Sequence, residues 1–456
     1  MFGLRIFISV RRTITCLLLT LPLSVSISAT AHGQARPMND PYSIRCPSPA
    51  DPYKSEFECA GGPFDFNEET MTKDWAGVRT ELNRLGITPT ASYTMQLMGN
   101  PSGGQSRGFT YAGTLQASIF WDLEKLLGLP GLSFDIGGAW STGKDLSTDY
   151  IGNSFTVQSA YTAPNNGTNN LTLGQVYLQQ RLFDDSLVIA AGRLAPDNTF
   201  ATMPVFDNYL NGAINAVPGV LSINDATFTA YPPGVEWGAQ AIYNITPTFQ
   251  LAGGVFNTNQ SSARGGKGGL NFALQQGNRG VLSVIQLNYF FNQAPGDTGL
   301  PGQYSLGGSY DSNRFTDLNN PNSTKSGTYS IHGMFQQMVY RDGGAGSQKG
   351  LTVWWETALA PKSTVSSLPY FVGGGLSYQG IIPRRDNDIA SAAVIYGSFS
   401  RYIPRTTAET VIEMNYQITV NGWLSITPDL QYVIRPSGSS AIKNAFVLGT
   451  QVAIVF

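Results

Sequence analysis

Polar residues recur at every second position in several segments of the chain. Near the C-terminus, Glu413 and Asn415 are separated by one residue, as are Asp429 and Gln431. Earlier segments carry related residues, namely Gln175, Tyr177, Arg181, Arg193, Glu236 and Gln240. Carboxylates, amides and guanidinium groups can hydrogen-bond adjacent hydroxyls of a polar solute in bidentate fashion, and an aromatic face can cover its C–H patches. We therefore predict that these residues line a solute path.

These residues also have a simpler interpretation. In a barrel filled with water, roughly half of all positions are polar merely because they face the interior. Arg193, Glu413 and Asp429 stand out from that background, because only 13% of the residues are charged. The other residues are candidates only as members of the pattern.

Apolar residues occupy the positions between these polar ones. Ile412 and Met414 flank Glu413, and Leu430 and Tyr432 flank Gln431. A period of two is typical of strands, since successive side chains of a strand point to opposite faces. The low charge, at a mean hydropathy of only −0.09, fits strands that show lipid one face and water the other.

The lengths of the connections favour a membrane barrel over a soluble β-sandwich. Short turns alternate with long stretches rich in Gly, Asn and Pro, as in bacterial barrels with short periplasmic turns and long outer loops. The short turns include Asp184-Asp185, Thr246-Pro247 and Asn421-Gly422, and the long outer stretches are 141–170, 195–233 and 257–279. Residues 195–233 either fold inward and narrow the pore or form an external loop.

The predicted fold is an all-β transmembrane antiparallel barrel over residues 87–456. Counting from Ile87 gives about sixteen strands, an even number as bacterial barrels require, and a barrel this wide leaves an aqueous channel. The final segment alternates apolar residues and ends on Phe456. That pattern resembles the signal recognised by the outer-membrane barrel assembly machinery, which we expect as a partner.

The N-terminal region predicts export. Residues 1–31 combine Arg5, Arg11 and Arg12 with a short apolar stretch and the cleavage pattern Ala29-Thr30-Ala31, as in a cleaved signal peptide. Residues 32–86 are predicted to be a periplasmic extension or plug. A short helix is expected from Asp74 to Leu85, capped by Asp74 and ended by Gly86.

Two cysteines of the extension predict a disulfide. Cys46 and Cys59 lie in a polar, proline-rich stretch of an exported chain, where a disulfide persists. A metal site is the rival, but no histidine lies close enough in sequence to complete one. Cys16 belongs to the predicted signal peptide.

Catalysis and nucleic-acid binding are not expected. After cleavage only His32 and His332 remain, so a Ser-His-Asp hydrolase would have to use His332, which lies in an aromatic-rich strand. A formal net charge of −2 offers no basic face for nucleic acid. We predict neither an enzyme nor a cofactor.

Four motifs resemble the carbohydrate-selective porins of the OprB family, and the resemblance covers the chain from about Lys73 to Phe456. The motifs are Lys73-Asp74-Trp75-Ala76-Gly77-Val78-Arg79-Thr80, the stretch from Gly373 to Asp388, Glu413-x-Asn415-Tyr416, and Trp423-Leu424 with Pro428-Asp429-Leu430-Gln431-Tyr432-Val433. Arg384 stands where the family commonly has a glycine.

This resemblance implies a sixteen-stranded channel in the outer membrane that passes glucose and other small sugars by facilitated diffusion. Its constriction would be polar and charged, and its partners would be carbohydrates and outer-membrane lipids. A porin for other small polar solutes and a non-conducting binding barrel are the alternatives. The oligomeric state is open between a monomer and a homo-oligomer such as a trimer.

Overall fold

The segments with a period of two form sixteen antiparallel strands. The computed structural model describes residues 65–456, except 161–169, 216, 229–234, 259–267, 273–279 and 295–296. The predicted signal peptide and the pair Cys46 and Cys59 lie outside the described residues. Strands β1 to β16 span Ile87–Gly104, Gly108–Asp122, Leu132–Gly143, Asn170–Leu182, Leu187–Leu194, Glu236–Asn244, Phe249–Asn257, Val281–Phe291, Gly302–Asp317, Asn320–Arg341, Gly350–Leu359, Tyr370–Gln379, Ile389–Ser398, Ala408–Asn421, Leu424–Ile434 and Lys443–Val455.

Each strand pairs with its neighbours in sequence, and β1 pairs with β16 to close the barrel. At this seam Tyr93 lies opposite Ile454 and Met95 lies opposite Val452. Closure leaves no strand edge unpaired, which is the condition for a sheet to cross lipid. The predicted fold class is therefore confirmed.

The two faces of the strands differ as the alternation predicts. On β14, Met414 is 55% exposed on the outward face, whereas Glu413 on the inward face is fully buried. Around β7 to β11, outward rings contact one another across neighbouring strands, with Tyr304 and Phe335 5.7 Å apart. Such a girdle of aromatic side chains is typical of the membrane interface.

The short turns 183–186, 245–248 and 422–423 share one end of the barrel, which we call the short-turn end. The turn from residue 380 to 388 lies at the same end and carries the departure from the family motif. Arg384 has a φ of +69°, in the left-handed region that glycine adopts without strain. Asp388 organises this turn: its carboxyl accepts hydrogen bonds from Arg385 at 2.8 Å and from the main-chain N–H of Thr419 at 3.0 Å.

Short helices precede and connect the strands. Helix α1 spans Phe66–Glu69, α2 spans Val78–Arg84, α3 spans Leu123–Leu127 and α4 spans Gly219–Asn224. Within the described ranges, no helix is long and apolar enough to cross a membrane.

Helix α2 differs in detail from the helix predicted at Asp74 to Leu85. It begins at Val78, because Lys73, Trp75 and Ala76 adopt positive φ values. Its N-cap residue is Gly77 and not Asp74, although the Asp74 carboxyl accepts a 2.8 Å hydrogen bond from the main-chain N–H of Thr80. The apolar side chains of Val78 and Leu85 are exposed, and the residue that α2 buries is Arg79.

Arg79 joins the N-terminal region to both strands of the seam. Its guanidinium donates to the main-chain oxygens of Pro89 at 3.2 Å and Phe456 at 3.0 Å. It also donates to Thr70 at 3.0 Å and contacts the rings of Phe66 and Trp75. Burial lowers the pKa of Arg79 to about 10, so the group stays charged at neutral pH. We call this set of contacts the seam clasp.

Candidate functional site

Two stretches of chain fold into the lumen. The first inward segment, residues 145–160, follows β3, and the second inward segment, residues 195–228, follows β5. Apolar side chains of both segments and of the inner wall form one buried cluster, which includes Phe155, Phe206, Phe228, Trp354 and Ile395. The described part of 195–233 therefore follows the inward alternative.

The first inward segment is the described part of the long outer connection 141–170, and its inward course was not predicted. Leu146, Ile151, Phe155 and Val157 are completely buried. Four apolar side chains within an otherwise polar stretch need a dry surface, which the lumen side of the segment provides. The sequence contained this signal, but loop length alone did not show it.

Wall side chains hold the second inward segment by its main chain. Side-chain oxygens of β8, β10 and β14 accept hydrogen bonds from successive N–H groups of the segment. The pairs are Ala201 to Gln286 at 2.8 Å, Val205 to Gln336 at 2.9 Å and Leu210 to Glu413 at 2.6 Å. Because buried amides require acceptors, these contacts fix the path of the segment. We call them the wall anchors.

Tyr209 adds an aromatic attachment to β11 and β12. Its hydroxyl donates to the main-chain oxygen of Leu376 at 2.9 Å and accepts the indole N–H of Trp354 at 2.8 Å. The Phe206 ring packs edge-on against Trp354 at 5.2 Å. Burial raises the pKa of Tyr209, so its hydroxyl keeps the proton that it donates.

Four predicted site residues come together on β14 and β15. Glu413 lies opposite Gln431, and Asn415 lies opposite Asp429. The Asn415 amide donates to Glu413 at 3.0 Å, and the Gln431 amide donates to Asp429 at 2.9 Å. All four are buried. They form one polar cluster that faces the inward segments.

This cluster supports both inward segments. Asn415 donates to the main-chain oxygen of Asn208 in the second segment at 2.9 Å. Gln431 donates to the main-chain oxygen of Val157 in the first segment at 2.9 Å. The segments also bond each other, from the N–H of Gly212 to the oxygen of Thr156 at 2.8 Å.

The remaining inward candidates lie along β4 and β6. Glu236 is buried opposite Leu194, and Gln240 donates to the Thr199 hydroxyl of the second segment at 2.9 Å. Tyr177 is half-buried against the apolar cluster.

Two further candidates also lie on β4. Gln175 lies at a register shift between β3 and β4. Arg181 lies near a short turn, with its Nε 3.8 Å from Asp185. Both side chains are half-buried, so they keep some contact with solvent.

Arg193 is not on the lumen face that we predicted for it. The strand register pairs it with Val176 and Trp237, which lie on the outward face. Its guanidinium donates to the main-chain oxygens of Leu173 and Gly269 and lies 5.6 Å from the centre of the Phe272 ring. Arg193 therefore holds residues 268–272 against the outside of the wall.

Several further inward residues contact the segments and were not among the predicted candidates. Gln286, Gln336 and Trp354 hold the second segment, and Glu409 accepts the N–H groups of Ser154 and Phe155 at 2.9 and 2.7 Å. Gln286 lies between apolar Ile285 and Leu287, so the period of two contained the signal for it.

His332 packs on the inner wall of the barrel beside an amide. It is completely buried on the inner wall, and its Nε2 lies 3.0 Å from the amide oxygen of Gln286. Among the residues that the structure describes, no group of three or more His, Cys, Asp and Glu side chains is arranged to hold a metal ion. The inner wall instead presents amides, hydroxyls and carboxyl groups.

A closed sixteen-stranded barrel whose lumen is narrowed by inward segments is the architecture of a porin. The family model described as "Carbohydrate-selective porin, OprB family" matches residues 106–456. The chain therefore belongs to the carbohydrate-selective porins of the OprB family, which are channels of the outer membrane and not enzymes.

Individual relatives agree with this assignment. Porin B of Pseudomonas aeruginosa is 26% identical over 439 residues, covering 87% of this chain and 93% of the relative. The putative porin QuiX of Acinetobacter baylyi is 23% identical, covering 88% and 96%. The high-pH structure of Pseudomonas putida OprB shares the fold, with a TM-score of 0.76, 23% identity, and coverage of 86% of this chain and all of that one.

Proposed function

We propose that this porin passes small uncharged sugars, with glucose as the representative solute, into the periplasm by facilitated diffusion. The observation that carries the proposal is the second inward segment, which crosses the lumen and is held by the wall anchors. A fixed constriction lets a pore distinguish solutes by size and hydrogen bonding.

The candidate residues act in two ways under this proposal. Half-buried Gln175, Tyr177, Arg181 and Gln240 replace part of the water that a sugar loses on entry. Such contacts must stay weak, because a solute that binds tightly does not leave.

The buried candidates position the constriction instead. Glu413, Asn415, Asp429 and Gln431 hold the inward segments. Glu236 is buried on β6, opposite Leu194. Arg193 has a separate role, because it holds residues 268–272 against the outside of the wall.

Swelling of liposomes tests the proposed solute. Vesicles that contain the purified porin should swell faster in glucose than in an amino acid of equal size. Equal rates would reject sugar preference and leave a porin for small polar solutes in general. Single-channel recording separates the remaining alternative, because a non-conducting binding barrel would show no open events.

The regions around the barrel complete the proposal. We infer that residues 1–31 are removed on export, that residues 32–86 form a periplasmic extension with a Cys46–Cys59 disulfide, and that the strand ending at Phe456 is read by the barrel assembly machinery. The intact mass of the mature protein, with and without reductant and alkylation, tests the cleavage and the disulfide. Native mass spectrometry in detergent decides between a monomer and a homo-oligomer.

A further inference from the structure

A recess lies beneath the second inward segment, on the side of the short turns. Pro204, Val205 and Asn208 of the segment form one side, and inward residues of β10 to β13 form the other. Gln348 belongs to the short turn after β10, so the recess opens toward the periplasmic end of the barrel. Its accessible volume is about 40 Å³, enough for the hydroxyl-bearing edge of a small molecule but not for enclosing a whole one.

The recess contains polar atoms with unused hydrogen-bonding capacity. Gln336 is 1% exposed, and its amide oxygen is engaged by the N–H of Val205. Within the described part of the chain, Nε2 of Gln336 has no acceptor and Oδ1 of Asn208 has no donor. A buried polar group without a partner is destabilising, so a ligand that satisfies these atoms binds favourably.

The chemistry of the lining is neutral. The polar side chains that line the recess are Asn208, Gln336, Gln348, Thr352, Ser377 and Gln379, and none of the lining residues is charged. Charged residues of the adjacent turns are paired with each other: Lys349 contacts Asp342 at 3.3 Å and Asp386 at 3.1 Å. An ion entering the recess would lose water without gaining a counter-charge.

We propose that this recess is a second sugar subsite, on the exit side of the constriction. It takes an uncharged polyhydroxy solute, because one hydroxyl can accept from Gln336 and another can donate to Asn208. This inference rests on the proposed function and adds a place where a sugar pauses before release. Two weak sites in series allow a channel to be selective and still conduct.

Two variants test the subsite through the block of ion current by glucose added on the periplasmic side. Gln336→Glu keeps an oxygen for Val205 and replaces the free donor by an acceptor. Gln348→Trp fills the recess from the turn and leaves the three wall-anchor side chains themselves unchanged. Each should raise the glucose concentration that halves the ion current about three- to tenfold. A change of that size is expected when one hydrogen bond to the sugar is lost.

The control variant is Ala345→Trp, which adds the same bulk to an exposed position of the same turn. Glucose should block the ion current through this variant at the same concentration as in the unmodified porin. Gluconate, which resembles glucose but carries a charge, should block poorly from this side. Equal block by gluconate, or unchanged glucose block in both recess variants, would overturn the subsite even if liposomes still swell faster in glucose. No glucose preference in swelling would overturn the proposed function, and the subsite with it.

Discussion

The seam clasp and the wall anchors use buried polar side chains for different purposes. At the seam, the cation of Arg79 donates to main-chain oxygens and ties β1 to the last residue of the chain. In the lumen, Glu413 accepts main-chain N–H groups of Leu210 and Asn211 at 2.6 and 3.1 Å. Both satisfy backbone groups that are buried from water, but only the clasp joins parts of the barrel itself.

Because the two sets of contacts join different parts of the molecule, they should affect different properties, stability and transport. The barrel wall is closed by a complete ladder of strands, so a segment can detach from its inner face without opening it. Conversely, the clasp lies at the rim of the short-turn end, away from the constriction. We expect changes at the clasp to alter stability and changes at the wall anchors to alter selectivity.

The largest effect is expected from Arg79→Ala. It removes several charged hydrogen bonds and two ring contacts, so the free energy of unfolding should fall by about 4 kcal/mol. Urea unfolding of the porin in lipid vesicles measures the change. Arg84→Ala on the same helix is the control, because the ion pair of Arg84 with Glu81 is exposed and should contribute nothing measurable. Equal destabilisation by both variants would contradict a special role for the clasp.

Glu413→Ala should act on transport instead. Two main-chain amides lose their acceptor, which weakens the attachment of the second segment by about 2 to 4 kcal/mol. Single-channel conductance should rise and the preference for glucose in swelling should fall. Met414→Ala, one position along on the outward face, should leave both unchanged. If Glu413→Ala lowers the free energy of unfolding as much as Arg79→Ala does but spares selectivity, the contrast between the two regions is wrong.

The smallest effect is expected at the turn that carries Arg384. Replacing Arg384 by glycine removes the cost of its left-handed backbone, offset by the greater freedom of glycine when unfolded, for a gain of about 0.5 kcal/mol. Arg384→Ala keeps the strain and should give no gain. Both variants should transport solutes like the unmodified porin. Stability could then be changed at this turn without a change in selectivity, as we expect at the clasp.

The alternation of residues predicted the barrel and much of its inner face. Glu413, Asn415, Asp429 and Gln431 were assigned to one face because their apolar neighbours are clearly lipid-facing, and the register brings all four together. The residues of β5 did not show in this way which face is lipid-facing. Val188 and Ala190 on its inner face are as apolar as Ile189 and Ala191 on its outer face, so the side of Arg193 could not be read from the period.

The inner face of β5 is apolar because it contacts protein and not water. The sequence had been interpreted with water on the inner face of every strand. On β5, Ala190 and Leu194 belong to the buried cluster of the inward segments. A period of two reports which residues share a face, but not whether that face meets water or another part of the chain. The inward course of 145–160 depends on contacts with strands hundreds of residues away, such as Glu409 with Phe155.

The wall anchors have a consequence for how such channels diversify. The wall holds Ala201, Val205 and Leu210 by their main-chain N–H groups, which every residue except proline possesses. Mutations can therefore exchange side chains along the segment while its course is kept. Single substitutions in the second inward segment can therefore change which solutes the channel admits. No compensating substitution in the strands is required.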